Sequence, residues 1–433
     1  MQRHILVFIF AVWLAVAFHL PGQSQVPNAL ELAQEAQQLY RTGKLVSAAT
    51  TWQRAASLFH EQGDRLGASK SFINQAQALQ DLGLYPKACQ TLLKAFEVDP
   101  PECSDQQLDN LLQKFTTETN PQLTITQGIG FRSLGDVLRR RGMLAQSQKV
   151  LELSGTATHN SPEWGSTLLA LGNIEQALGN QIRDRWSYNQ VTEIIDRQDP
   201  ERALEPYIKA FQAYEETAAD QLSLPITQIQ AQLNYLSLLI EIEDWWQEQT
   251  TRRLKSWQRL NQISLTEAAS NFSDLLTTKV GKTRASLVNA IDDSWINVTP
   301  SHQGIYAQIN YTKSLIKLGE HTQVESILNT ALQQARNIED KIGESYALGY
   351  LGQYYGQAGQ LTKAIALTNQ ALILAQAQNI NGDAREVTYL WQSQLGQLFE
   401  QQGKTTEAIS AYTSAFNTLQ SLRTDLNTNN QVV

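Results

Sequence analysis

Seven glycines interrupt helix-periodic stretches of this chain, at Gly43, Gly83, Gly142, Gly179, Gly319, Gly359 and Gly403, and their spacing constrains the fold more than any other feature. Gly43 and Gly83 stand 40 residues apart, as do Gly319 and Gly359, and Gly403 follows 44 later. Each is flanked by the same pattern of residue types. Leu395-Gly396 and Phe399 precede Gly403, with Ala408, Tyr412 and Ala415 after it; Leu351-Gly352 and Tyr355 precede Gly359, with Ala364 and Ala371 after it. Ala76 and Leu79 lead to Gly83, followed by Ala88, Leu92 and Ala95, while Ala36 and Leu39 lead to Gly43, followed by Ala48, Trp52 and Ala55. Small residues are required where two antiparallel helices cross closely, a bulky neighbour fills the space beside them, and glycine ends the first helix in a left-handed conformation. Each unit is therefore predicted to be a helical hairpin.

This placement resembles the tetratricopeptide signature, although the spacing exceeds that family's usual period of about 34 residues. The resemblance implies an all-α superhelical solenoid of antiparallel helix hairpins that holds a protein or peptide on its concave face. Gly142 keeps Leu134-Gly135 and Leu151 but has Ser147 and Ser154 where alanine is expected. After Gly179 a polar stretch runs through Pro200 before Ala203, Tyr207 and Ala210 resume the pattern; the next hairpin, from Ile226, has Asp244 where glycine would sit, followed by Trp245-Trp246. The tryptophans are expected to be core packing between hairpins. The organisation read from these patterns is a signal segment at 1–25, an N-terminal array with degenerate middle repeats at 26–263, a helical or irregular insertion at 264–300 and a C-terminal array at 301–433.

Stretches such as QLNYLSLLIE, YAQINYTKSLIKLG, SYALGYLGQYYGQAGQ and AYTSAFNTLQSLRTDL are also similar to the amino-terminal arrays of bacterial, chiefly cyanobacterial, CHAT-domain proteins. In that family a caspase-like peptidase domain with a histidine and a cysteine follows the array. This sequence ends at Val433 without it, so the resemblance implies the recognition part alone, or a stranded part that acts with a separately encoded catalytic domain.

The run Ile5 to Phe18 is apolar, preceded by Arg3 and His4 and followed by Pro21 and Gly22, which is the layout of a secretory signal. It is shorter than the roughly 20 apolar residues of a membrane span. Cleavage after Ala17 or Ser24 is compatible with the small residues there, and a mature start near Gln25 and a periplasmic or secreted location are expected, with an uncleaved N-terminal anchor as the alternative. The two cysteines, Cys89 and Cys103, leave open one bridge or two free thiols.

Templates for catalysis fail. His60-Glu61 opens like a zinc-protease helix, but the second histidine position is Asp64; Gly281-Lys282-Thr283 ends like a phosphate-binding loop, but its earlier glycine position is Leu276. His60 and Cys89 would form a nucleophilic pair only if adjacent hairpins joined them, and both fall at ordinary helix positions. No catalytic residue, metal ligand or cofactor is expected. The net charge of −8 opposes nucleic acid.

What the pattern does offer is an amide ladder. One residue after the packed small position of the first helix come Gln37, Gln77, Gln353 and Gln397, and each amide can both donate to and accept from the backbone of an extended peptide. Lys70 and Asn74, one helical turn apart, are candidates to grip a carboxylate. The competing reading places these glutamines on merely solvated helix faces.

Overall fold

A computed structural model describes residues 28–116, 123–191, 203–260, 284–292, 295, 298, 300–377 and 384–429. The expected signal segment lies outside them, as does most of the expected insertion. The described elements are helices: α1 (Ala29–Arg41), α2 (Leu45–Glu61), α3 (Arg65–Asp81), α4 (Tyr85–Ala95), α5 (Asp105–Thr116), α6 (Ile125–Arg140), α7 (Leu144–Thr158), α8 (Trp164–Val191), α9 (Leu204–Ala219), α10 (Pro225–Leu260), α11 (His302–Leu318), α12 (Val324–Asn337), α13 (Lys341–Gln357), α14 (Leu361–Ala377), α15 (Arg385–Gln401) and α16 (Thr405–Asn429). Consecutive helices pack against one another except at α5, which lies against α7 while α4 packs on α6, and first helices adjoin across units, α3 on α6, α6 on α8, α8 on α10, α11 on α13 and α13 on α15. The protein is an all-α solenoid of antiparallel hairpins.

Local chemistry sets the helix ends. Asn28 and Glu31 form a reciprocal capping box at the start of α1, and Thr124 and Gln127 do so for α6. At the other end Gly43, at φ 72°, donates to the Tyr40 carbonyl at 3.0 Å while Lys44 donates to the Leu39 carbonyl at 2.9 Å. This pair of bonds satisfies two carbonyls that an ending helix leaves orphaned. The same pair recurs at Gly83, Gly142, Gly319, Gly359 and Gly403, as the spacing predicts. It also forms at Gly63, Glu97 and Glu339, which close second helices.

Two turn expectations are corrected. Gly179 lies inside α8, where an added Cβ would stand 2.5 Å from Tyr207 Cε1, so this glycine permits close helix contact and ends nothing. Asp244 lies inside α10, which runs unbroken from Pro225 to Leu260, because an aspartate, unlike glycine, takes the left-handed turn only at a cost and continues the helix unless packing imposes that turn. The serines that replace alanine in the Gly142 unit are explained by their partners. Buried Ser147 and Ser154 donate to the carbonyls of Gly135 and Gly128 at 2.7 and 2.8 Å. A small polar residue fits the crossing because its hydroxyl is satisfied there.

A disulfide joins Cys89 of α4 to Cys103 ahead of α5. This takes the Cys89 sulfur out of any pairing with His60, which is itself exposed. Residues 284–292 are helical, and Ile291 is fully buried in the core shared with α10 to α15.

The chain returns on itself. α11 lies against α1, more than 260 residues earlier, as in the Gln303 Nε2 donation to the Tyr40 hydroxyl at 3.2 Å. Lys44 and Glu339 form an exposed ion pair at 3.0 Å, which adds little. Gly43 is the tightest point of this seam: a Cβ there would sit 2.8 Å from Asp340 Cγ. Asp340 cannot yield easily, being buried and bonded to His302 Nδ1 at 2.6 Å and to the Gly343 amide at 2.8 Å. Gly43→Ala and Gly83→Ala share the cost of a left-handed alanine, about 1–2 kcal/mol, but nothing lies within 4 Å of a Cβ at Gly83. The Gly43 variant is expected to lose more in denaturant titration and to raise hydrogen exchange in both α1 and α11. Equal losses in the two variants would mean that the seam adds no constraint.

Candidate binding surface

First helices line the inside of a stacked-hairpin solenoid, and the contact between α1 and α11 joins two of them. The inner wall therefore runs from the N-terminal array to the C-terminal one through the seam. Gln37 on α1 and Gln353 on α13 are half-buried along it, and Lys70 and Asn74 on α3 and Gln397 on α15 are exposed. None of these five has a hydrogen-bond partner among the described residues. Gln77 differs. Its Nε2 donates to Asp81 Oδ1 at 3.1 Å, and Asp81 Oδ2 accepts from the Tyr40 hydroxyl at 2.6 Å, so this amide belongs to the seam network.

The seam network is electrostatically loaded. Asp81 keeps contact with solvent but protein crowds it on most sides, and this enclosure raises its carboxyl above the usual carboxylate range despite the Tyr40 bond. Burial and then the Asp81 charge push the Tyr40 phenol well up. Burial alone would lower His302, but the hydrogen bond and charge of Asp340, with Asp81 behind them, raise it on balance.

Beyond the seam the wall is aromatic, and sequence reasoning missed this strip. His302 and Tyr306 rings lie 4.4 Å apart, Tyr306 and Tyr346 meet edge to face at 5.3 Å, and Tyr346 and Tyr350 stack at 6.4 Å. Both Tyr346 and Tyr350 rest edge-on against the buried Trp391, at 5.9 and 5.5 Å. The three tyrosines are half-buried, and their hydroxyls have no hydrogen-bond partner among the described residues. Burial raises all three phenols, Tyr350 to about 12. They stay neutral donors at physiological pH. A signal for them existed: Tyr306 and Tyr346 stand 40 apart, the period of the hairpins. Lys313 caps the strip, its Nζ 4.5 Å from the Tyr350 ring centre.

Elsewhere a small pocket between α9 and α10 is lined by Tyr214, Ala218, Gln232 and Tyr235 with Leu287. Among the described residues no group of three or more His, Cys, Asp or Glu is placed to hold a metal ion, and no helix is long and apolar enough to cross a membrane.

The fold and wall define a helical-repeat solenoid of the tetratricopeptide-like kind. No protein-family profile matches the chain, and no curated protein does. Among solved structures it is similar to a Rap protein complexed with competence and sporulation factor, at 10% identity and a TM-score of 0.39 over 91% of this chain and 98% of that one. It is similar also to a monomeric IFIT1 mutant with Gppp-AAAA, at 12% identity and 0.30 over 89% and 80%. Yeast Tom70 gives 11% identity and 0.25 over 93% and 96%.

Proposed function

We propose that the protein is an exported, non-catalytic scaffold that holds an extended segment of a protein partner against its inner wall. The observation that carries this reading is the strip of Tyr306, Tyr346 and Tyr350, whose rings offer flat apolar faces beside hydroxyls left without partners. Tyrosine supplies large contact area at low entropic cost, and an unpaired donor in a groove is satisfied by a peptide carbonyl. The glutamines at 37, 353 and 397, with Lys70 and Asn74, extend the polar part of the same wall. Export is supported by the apolar run near the start and by the Cys89–Cys103 bridge, since disulfides persist in oxidising compartments.

The stretches that are similar to CHAT-protein arrays favour a second reading, in which the scaffold recruits substrate for a separately encoded peptidase domain. One experiment addresses both. The chain from Gln25 to Val433 is used as bait against periplasm and medium, beside a Tyr346→Ser/Tyr350→Ser variant of unchanged helical circular dichroism. A partner captured by the parent and lost by the variant supports the inner wall. Capture of a peptidase domain moves the second reading ahead, and equal capture by both baits overturns the inner-wall reading.

A further inference from the structure

The amide ladder is interrupted by an acid at Asp136, which follows Gly135, and by a cation on α11. Lys313 on α11 stands 40 residues before Gln353, just as Gln37 stands 40 before Gln77, so it occupies the ladder position of its hairpin. Its Nζ lies over the Tyr350 ring and donates to Asn310 Oδ1 at 3.1 Å. No carboxylate among the described residues pairs with it, in a chain where Asp and Glu total 42 against 34 Lys and Arg. Acids on the elements that adjoin α11 are committed elsewhere: Asp340 to His302, Asp292 to Tyr311 at 2.9 Å, and Glu344 to Arg336 and Lys341 at 2.8 and 3.0 Å. Burial, and then the charge of Lys317 one turn on, bring the Lys313 ammonium down to about 8. A half-buried cation facing only a neutral amide and a ring is under-compensated, and an incoming anion would relieve it.

We propose that Lys313, with Lys317 and the free hydroxyls of Tyr346 and Tyr350, forms an anion subsite for the side-chain carboxylate of an acidic residue in the bound segment. This rests on the inner-wall reading above and gives it a chemistry. The aromatic strip on one side of Lys313 selects a peptide over a small inorganic anion, because the residues flanking the carboxylate then cover Tyr306 and Tyr346. The glutamine ladder on either side accepts backbone without selecting charge. Lys313 is thus the position that would set the register of a bound segment.

The test is competitive acetylation of the folded chain, read lysine by lysine by mass spectrometry. It is run with a capped Tyr-Glu-Glu-Glu-Tyr peptide, its Tyr-Gln-Gln-Gln-Tyr counterpart or inorganic phosphate. The acidic peptide is expected to slow acetylation of Lys313 about tenfold, the effect of ~1.4 kcal/mol, with the glutamine peptide and phosphate changing it less than about twofold. Fluorescence anisotropy of the labelled acidic peptide should fall away with Lys313→Met, which keeps the stem on Tyr350, and be kept by Lys313→Arg. Equal protection by both peptides would overturn the anion subsite while leaving the inner wall as a peptide site. Phosphate protecting as well as the acidic peptide would overturn the peptide source. No protection by any probe overturns the subsite alone if Tyr346→Ser/Tyr350→Ser still abolishes partner capture, and overturns both readings if it does not.

Discussion

Replacing Gly349 by alanine is expected to loosen the C-terminal hairpins while leaving the N-terminal array folded. Gly349 sits mid-helix in α13, where alanine would ordinarily gain about 1 kcal/mol. Here an added Cβ would stand 2.3 Å from Cη2 and Cζ2 of Trp391. The indole cannot retreat. It is fully buried, its Nε1 donates to Ser345 Oγ at 3.0 Å, that hydroxyl donates to the Ala371 carbonyl at 2.7 Å, and the Tyr346 and Tyr350 rings close on it from the inner wall. Overpacking of this kind costs about 1–3 kcal/mol or more, which exceeds the helix gain. Trp391→Ala removes the obstacle but leaves a cavity, at about 3–5 kcal/mol. A double-mutant cycle separates the two effects. Gly349→Ala made on a Trp391→Leu background should be close to neutral, a coupling of about 1–3 kcal/mol. Hydrogen exchange should rise in α13 to α16 and not in α2 to α4, because those hairpins do not touch one another and the N-terminal array meets the C-terminal one only at the seam of α1 with α11 and the turn ahead of α13. Additive losses in the cycle would show that the close approach of α13 and α15 at Trp391 is not what holds these helices.

The same close approach explains which parts of the fold are legible in sequence. Turns that need a left-handed residue select glycine, so Gly43, Gly83, Gly142, Gly319, Gly359 and Gly403 announce their hairpins. Glu97 and Glu339 make the same turn without that signature, at a cost that a side chain other than glycine can bear once packing fixes the helices on each side. Gly179 misleads in the opposite direction: its glycine answers to the Tyr207 ring, a contact some 28 residues away that periodicity cannot reveal. Asp244 misleads because a repeat period carried forward into α10 predicts a break where no residue breaks the helix.

The inner wall divides along the same line. Gln37, Gln77, Gln353 and Gln397 share a register that the sequence alone shows, since position in a repeat decides which face a side chain takes. What each does there depends on its neighbours: Gln77 pairs with Asp81 one turn on in its own helix, but Asp81 joins Tyr40 and Gln303 only once α1, α3 and α11 are assembled. Tyr306, Tyr346 and Lys313 sit at the same 40-residue period as the glutamines. They escape a search for one residue type per position, because side chains on the inner face are free to vary while the packing beneath them repeats.

Reduction of the Cys89–Cys103 bridge is expected to destabilise the N-terminal array by about 3 kcal/mol, the scale for a closed loop of this length, the two residues being 14 apart. The bridge ties the segment ahead of α5 to the fully buried end of the core at Cys89, and Arg141 from the turn after α6 donates to the Cys103 carbonyl at 3.3 Å. α5 itself contributes Leu108, Leu111 and Leu112 to that core, and Phe115 meets Phe96 and Phe131 at 6.2 and 5.2 Å. It makes few other contacts, packing chiefly against α7. Freed of its tether, α5 should be the first element to exchange its amides, ahead of α6 and α7, while α13 to α16 remain protected. A Cys89→Ser/Cys103→Ser variant should reproduce the loss without reductant, and thermal melts of parent and variant should coincide once the parent is reduced. A parent whose melting is indifferent to reductant, or whose thiols alkylate without it, would show that the two sulfurs are not joined in solution. It would also remove the support that the bridge lends to export. If the bridge instead forms only in protein recovered from an oxidising compartment, the N-terminal array reaches its full stability only there, and the location becomes part of what makes the binding wall.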